Sequence, residues 1–151
     1  MTAPDVRAAI ERIVYGYAER VDAGDFPGLA ELFREATYKG GGPDDPGVVG
    51  SAAVLAVQER MIRRYPDGTP RTKHVTTNLV IDADEDAGTA TARSYFTVLQ
   101  QVEGHPLEIV IAGRYHDRFA CRDGAWHLTE RVIRCDLIGD LSRHLTVDPF
   151  R

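Results

Sequence analysis

The sequence is poor in the residues that stabilise a chain lacking a large apolar core. It holds two cysteines, Cys121 and Cys135. They lie far apart, without a CxxC or any paired-ligand spacing, which excludes a disulfide framework and leaves two reduced, structural thiols. None of the five histidines stands in HxH, HxxxH or HExxH spacing, so no metal site is expected. GxGxxG, GxxxxGK[ST] and GxSxG are all missing, and "YKGGGP" lacks the following helix of a phosphate loop, which sets aside dinucleotide and triphosphate cofactors. An excess of basic charge is missing too. With 18 basic against 23 acidic residues, a formal charge of −5 and no long basic run, neither nucleic acid nor an anionic membrane surface is an expected partner. No apolar run approaches the roughly 20 residues of a membrane span. The opening "MTAPDVRAAIERIV" lacks the basic and apolar regions of a signal peptide, so a cytoplasmic protein is expected.

What is present suits one domain over residues 1–151, with 43% hydrophobic residues, able to bury roughly two thirds of its unfolded surface. Pro4 and Asp5 mark a helix start. Val6, Ile10, Ile13, Val14, Tyr17 and Val21 recur at three and four residues, predicting a helix over 4–22. "DAGDFPGLAELF" turns through Gly24, caps on Asp25 and continues as a second, short helix. Residues 36–50 are too rich in Gly and Pro for more than a short strand near Thr37–Lys39, and read as a loop bordering a site. Ser51 is a candidate N-cap for a third helix over "AAVLAVQERMIRRY". Beyond "PDGTP" the apolar period changes to two, predicting long strands at 72–82, 89–102, 107–121 and 125–138. Their short connections make an antiparallel meander. The fold class is therefore α+β. Strands of this length require a strongly twisted, curved sheet, with helices on the concave face and a convex face still needing cover.

In "RTKHVTTNLVID" the alternation places His74, Thr76 and Asn78 on one side and Val75, Leu79 and Ile81 on the other. An imidazole titrates near neutral pH, and a carboxylate holding one ring nitrogen leaves the other as a general base. Asp22 is a candidate for that carboxylate. It sits at a helix C-terminus, opposed by the macrodipole unless compensated, and it reads equally as a turn aspartate bonding the backbone of "AGD". In "AWHLTERVIRCDL" period two puts Trp126, Leu128, Val132 and Arg134 on one face. A guanidinium there needs an anion: Glu130 or Asp136 in a structural pair, or charge developing on a substrate. Ile109, Ile111, Gly113, Tyr115 and Phe119 share another face, with Gly113 marking a bend or close approach and Tyr115 either packing or offering a hydroxyl. His105, His116, His127 and His144 are weaker candidates than His74.

The order of elements and the stretches "YAERVDAGDFPGLAELF", "TKHVTTNLVID", "GRYHDRF" and "DGAWHLTERVIRCDL" resemble the SnoaL-like branch of the nuclear transport factor 2-like superfamily. The resemblance implies a cone-shaped roll of curved antiparallel sheet closed by three helices. Within it the pattern is similar to the scytalone dehydratase and hexachlorocyclohexane dehydrochlorinase group, which pairs an Asp at the end of the first helix with a His early in the first long strand. Asp22 and His74 match those positions. Arg134 falls near the arginine that the dehydrochlorinase carries on its last strand. The sequence departs from scytalone dehydratase at Val21, where a tyrosine precedes the aspartate, and at Gly113 and Tyr115, where a serine and an asparagine lie.

Residues and resemblance together imply a small, cofactor-independent lyase or isomerase acting on a compact, apolar or aromatic molecule in an enclosed pocket. Asp22 orients His74, which removes a proton, while Arg134, Tyr17 and Tyr115 stabilise developing negative charge. Asn78 bonds the substrate or supports the aspartate; Phe96, Trp126, Met61, Leu128 and Val132 form pocket walls. The alternative is a non-catalytic small-molecule binder or a small, beta-type subunit of a ring-hydroxylating dioxygenase. The convex face, with Val75, Leu79 and Ile81, is expected to pair with a second copy as a homodimer. "LIGDLSRHLTVDPF" is expected either to fold over the cone mouth or to reach the partner.

Overall fold

The computed structural model describes residues 5–42 and 44–150. Helix α1 spans Val6–Asp22, with Asp5 as its N-cap accepting from the Arg7 amide; the expected start at residue 4 lies outside the described residues. Its stripe of Ile10, Val14, Tyr17 and Val21 is buried. Gly24, with φ 74°, reverses the chain after α1 and packs against the backbone of Gly68, whose carbonyl oxygen would lie 2.0 Å from an added Cβ. Helix α2, Phe26–Glu31, starts at Asp25, whose carboxylate accepts from the Gly28 amide. Helix α3 covers Ser51–Met61. Its N-cap is Gly50 at φ 90°, without a side-chain cap, so Ser51 is already the first helical residue.

The strands are β1 Thr37–Lys39, β2 Val48–Val49, β3 Thr72–Asp84, β4 Thr89–Gln100, β5 Glu108–Arg122 and β6 Ala125–Ile138. They form one sheet in the order β2-β1-β6-β5-β4-β3. The meander β3 to β6 is antiparallel throughout, while β1 runs parallel to β6 and extends the sheet at that edge. The three helices and the curved sheet enclose a core of α1, α2 and inward strand residues, including Phe96, Val98, Val110, Tyr115, Phe119 and Leu128, joined by Phe33 from the turn after α2. Among the described residues no helix is long and apolar enough to cross a membrane.

The long strands do not keep strict alternation. The ladder shifts between Thr77 and Val80 in β3, between Val98 and Leu99 opposite β5, and at two points between β5 and β6. Each shift inserts one residue, kinks the strand and exchanges the two faces beyond it. In β3 the inserted residue is Asn78, in the left-handed region at φ 54°. His74 and Thr76 before it and Leu79 and Ile81 after it therefore share the helix-covered side. The expected apolar convex stripe is corrected accordingly: Val75 stays outside, but Leu79 and Ile81 pack against the core, and Asn78 is exposed at the bulge. In β6 one insertion falls at Thr129, because Leu128 pairs Phe119 while Glu130 pairs Arg118. Trp126 and Leu128 then share the inner face with Arg131, Ile133 and Cys135, and Val132 and Arg134 turn outward.

Gly113 is a close approach, as its place in a strand suggested: a Cβ there would meet the Arg134 carbonyl oxygen at 2.0 Å and the Phe96 ring at 2.8 Å. On the outer face the cross-strand row Val75, Thr97, Ala112, Leu137 lies beside the row Thr77, Tyr95, Arg114, Arg134, with Arg114 bound bidentately to Asp136 at 2.8 Å.

If the left-handed bulge sets the phase of β3, Asn78→Val should lower stability by about 1–2 kcal/mol, since a β-branched residue resists that conformation. Asn78→Gly should stay within about 1 kcal/mol of wild type. Urea unfolding measures both; a valine variant as stable as wild type would contradict the bulge.

Candidate functional site

A cavity of about 320 Å³ opens between the helices and the concave face, of the size that takes a compact organic molecule. Its apolar wall includes Val21, Val57, Met61, Phe96, Val98, Ile111 and Ile133. Tyr17, Tyr38, Gln58, His74, Tyr115 and His144 bring polar atoms to it. The Gly- and Pro-rich loop borders the cavity through Gly40, Gly41, Asp45 and Gly47. Asp45 ties that loop together, accepting from the amides of Gly40 at 3.0 Å, Gly41 at 2.7 Å and Gly47 at 2.8 Å. These bonds hold its carboxyl below the usual carboxylate range.

Asp22 ends α1 against β3. Its carboxylate accepts from the Thr72 hydroxyl at 2.8 Å and the His74 amide at 2.8 Å, and meets His74 Nδ1 at 2.6 Å. The macrodipole opposes a carboxylate at this end of a helix by roughly 0.3–1 kcal/mol. One charge-assisted hydrogen bond contributes about 1.5–3 kcal/mol, so these contacts outweigh it. Burial alone would raise the Asp22 pKa; the hydrogen bonds and charge of His74 and the Thr72 hydroxyl overcome that and lower it. An ionised Asp22 accepting from Nδ1–H fixes the tautomer of His74 and leaves Nε2 as a basic nitrogen on the ring that lines the cavity. The turn-aspartate reading of Asp22 is thereby replaced: its acceptors are spent on β3, not on "AGD".

The buried arginine of the last strand is Arg131, not Arg134. Arg131 is 1% exposed and paired bidentately with Asp117 at 2.8 Å on both arms. Its guanidinium lies 4.3 Å from the Tyr17 ring centroid and 3.9 Å from that of Tyr115, while Nη1 is buried without a partner. Burial opposes its charge, but Asp117 more than compensates and raises its pKa. Arg134 points to the outer face because the Thr129 bulge displaces the alternation, and it lines a shallow depression there with Val132, Arg93 and His116. Glu130 pairs instead with Lys39 at 3.2 Å. A legible signal for Arg131 was Asp117 itself, an acid at the same parity as Tyr115 and Phe119 in an otherwise apolar row.

Of the expected pocket residues, Tyr17, His74, Phe96, Tyr115 and Met61 line the cavity, with Asp22 directly behind His74. Trp126 and Leu128 pack in the core outside it, and Asn78, Val132 and Arg134 lie on the other side of the sheet. Sequence reasoning missed Tyr38, which lines the cavity together with Tyr17 and Gln58. It also undervalued His144. Burial raises the pKa of all three tyrosines, Tyr17, Tyr38 and Tyr115, so their hydroxyls stay neutral. The C-terminal segment folds over the cavity, bringing Leu141, His144, Leu145, Pro149 and Phe150 to its lining.

Burial, reinforced by the charge of His74 and only partly offset by Asp22, lowers the His144 pKa to about 3. An unfolded histidine takes a proton near pH 6.5, and the folded one does not, so stability falls as pH drops below about 6.5, by up to about 1.4 kcal/mol per unit. The depressed Asp22 pKa works in a lower window: its contribution is intact above the usual carboxylate range and is lost only as pH falls through the folded value. Between pH 6.5 and 5, His144→Phe is therefore expected to flatten the decline of stability with pH, as measured by urea unfolding; an unchanged slope would contradict a buried neutral ring.

Solved structures share this architecture. A Novosphingobium aromaticivorans protein provisionally named scytalone dehydratase superposes with a TM-score of 0.68 at 24% identity, covering 89% of this chain and 86% of its own. A nuclear transport factor 2-like protein with a cystatin-like fold from the same organism gives 0.70 at 20%, covering 91% and 85%. One provisionally named aromatic ring hydroxylase, also from Novosphingobium aromaticivorans, gives 0.69 at 22%, covering 91% and 94%. At these identities the likeness establishes the nuclear transport factor 2-like fold and no activity. Among curated proteins there is no match. The model of the SnoaL-like domain matches residues 4–132, most of the chain and all of the helices, and with the curved sheet and its cavity this shows that the protein belongs to the SnoaL-like family.

Proposed function

We propose that the protein is a small cofactor-independent lyase or isomerase that removes a proton from a compact, apolar or aromatic substrate. The observation that carries this reading is the 2.6 Å contact between Asp22 and His74 Nδ1 at the wall of the cavity. His74 is the general base through Nε2, and Asp22 orients it and stabilises the imidazolium that forms. Tyr17, Tyr38 and Tyr115 supply neutral donors toward developing negative charge. Arg131 acts through the two rings it packs against, keeping a positive charge behind Tyr17 and Tyr115. In isomerisation the imidazolium returns the proton to another carbon of the substrate; in elimination a leaving group departs with the electron pair.

Wild-type protein is expected to speed deuterium uptake from D₂O, or elimination, in some member of a panel of compact aryl ketones, β-hydroxyketones and chlorinated cyclohexanes followed by NMR. His74→Ala and Asp22→Asn should each reduce that rate, His74→Ala by about 10²–10⁴-fold. Turnover by His74→Ala as fast as wild type would sink the assignment.

A second reading is a non-catalytic binder or a dioxygenase-type small subunit. The mostly apolar cavity and the likeness to a protein named as a ring hydroxylase favour it. A gene for a large Rieske-type oxygenase subunit beside the encoding gene would support this reading.

We also propose a homodimer through the outer face of the sheet, where Val75, Tyr95 and Leu137 are 40%, 52% and 70% exposed. Such side chains on one sheet face gain most from mutual burial. Sedimentation at micromolar concentration should show the dimer, and Leu137→Glu should weaken it; a strictly monomeric profile for wild type would rule it out.

A further inference from the structure

His144 is an expensive residue where it stands. The turn that carries it follows β6 and is held by a set of backbone-directed bonds. The Arg63 amide donates to the His144 carbonyl at 2.9 Å, Arg63 Nε to the carbonyls of Ser142 and Leu145 at 3.0 Å each, and Gln100 Nε2 to that of Arg143 at 3.0 Å. The Tyr65 hydroxyl also donates to the Arg143 carbonyl. None of these bonds involves the imidazole. The ring is nevertheless 5% exposed, its Nδ1 is buried without a partner, and it lines the same cavity as His74. The two rings meet edge to face with centroids 6.1 Å apart. A Leu or Phe would fill this position without leaving a polar atom unsatisfied, because a buried donor or acceptor without a partner is a net loss to the fold. No hydrogen bond among the described residues holds the ring, and its place in the cavity wall leaves a molecule in the cavity as the remaining source of a partner.

We propose that His144 is a catalytic residue of this site: a neutral imidazole that donates its N–H to the oxygen of a ketone or aldehyde while His74 takes the proton from the carbon next to that carbonyl. Neighbouring rings facing one cavity suit a C–H and a C=O on adjacent atoms of one substrate. The C–H electron pair moves into the new C=C bond, the carbonyl π pair moves onto oxygen, and the enolate oxygen accepts the His144 hydrogen bond. The proton rides on His74 until it is returned to carbon or the leaving group departs. The low proton affinity of the buried ring suits this role, since a neutral imidazole is a donor matched to an enolate and does not repel the imidazolium forming on His74. The inference deepens the proton-abstraction reading and rests on it for the role of His74; it narrows the substrate class to enolisable carbonyl compounds.

The probes are 1-tetralone and tetralin, which share a bicyclic skeleton and differ by the carbonyl, titrated by calorimetry into wild type, His144→Phe and His144→Gln. Wild type should bind the ketone at least about tenfold more tightly than the hydrocarbon, as expected when a buried polar group gains its only partner. His144→Phe should lose that preference while keeping its affinity for tetralin, and His144→Gln, which retains an N–H donor, should recover part of it. Equal binding of the two probes by wild type, no binding of the ketone at millimolar concentration, or an intact preference in His144→Phe would overturn the proposal. Deuterium exchange into 1-tetralone separates the two readings. A ketone preference that depends on His144, with exchange no faster than in buffer, sinks proton abstraction and leaves His144 as the carbonyl-binding group. Exchange that requires His74 and is unchanged in His144→Phe sinks the role of His144 alone.

Discussion

The constraint on which the rest of this structure depends is the curvature of its long strands, produced by residues inserted out of register. A strand of 12 to 15 residues in a twisted sheet cannot wrap a compact cavity at constant pleat. At Asn78, Val110, Thr129 and Asp136 the ladder takes up one extra residue, bends, and exchanges its faces. Asn78 turns Leu79 and Ile81 back to the core after His74 and Thr76 have faced the helices. Thr129 brings Arg131 inward. Asp136 returns Leu137 to the outside and leaves its own carboxylate to Arg114.

The polar groups inside are arranged at two depths. Near the helix end of the cavity, Asp22 joins α1 to β3 and fixes the orientation of His74. Deeper, Asp117 and Arg131 form a pair in which neither side chain is more than 1% exposed. Breaking such a pair by removing one partner typically costs 3–5 kcal/mol, because the other charge is left buried and uncompensated. That cost is a reason for a guanidinium flanked by Tyr17 and Tyr115 to keep its place, and with it the spacing of the two hydroxyl-bearing rings. The Phe96 ring stacks on Tyr115 with centroids 4.6 Å apart, and it reaches that position because Gly113 has no side chain in the way.

The C-terminal turn completes the site from outside the sheet. It has no apolar period and little regular structure, yet it is held by bonds from Arg63, Tyr65 and Gln100 and it presents His144 to the cavity. The site is thus assembled from α1, the strands and a terminal strap, as binding residues placed by a rigid scaffold commonly are.

Periodicity, caps and turn chemistry by themselves determined the α+β class, the three helices, the meander and the ends of its long strands to within two residues, because those signals are local. The Asp22–His74 pairing was legible from its two positions and from the resemblance that supplied them, and the structure brings the two groups into contact. Which face each side chain takes beyond a bulge was not legible, since one inserted residue reverses everything that follows and nothing local announces it except an asparagine suited to a left-handed turn. Strict alternation therefore points to Arg134 in place of Arg131 and puts Asn78, Val132, Leu79 and Ile81 on the wrong faces. His144 was out of reach for a different reason: an irregular segment carries no period to say where it lands. Contacts distant in sequence, among them the hydrogen bonds to Arg63, Tyr65 and Gln100 and the bridge to Ile62, decide that it closes over the cavity beside His74.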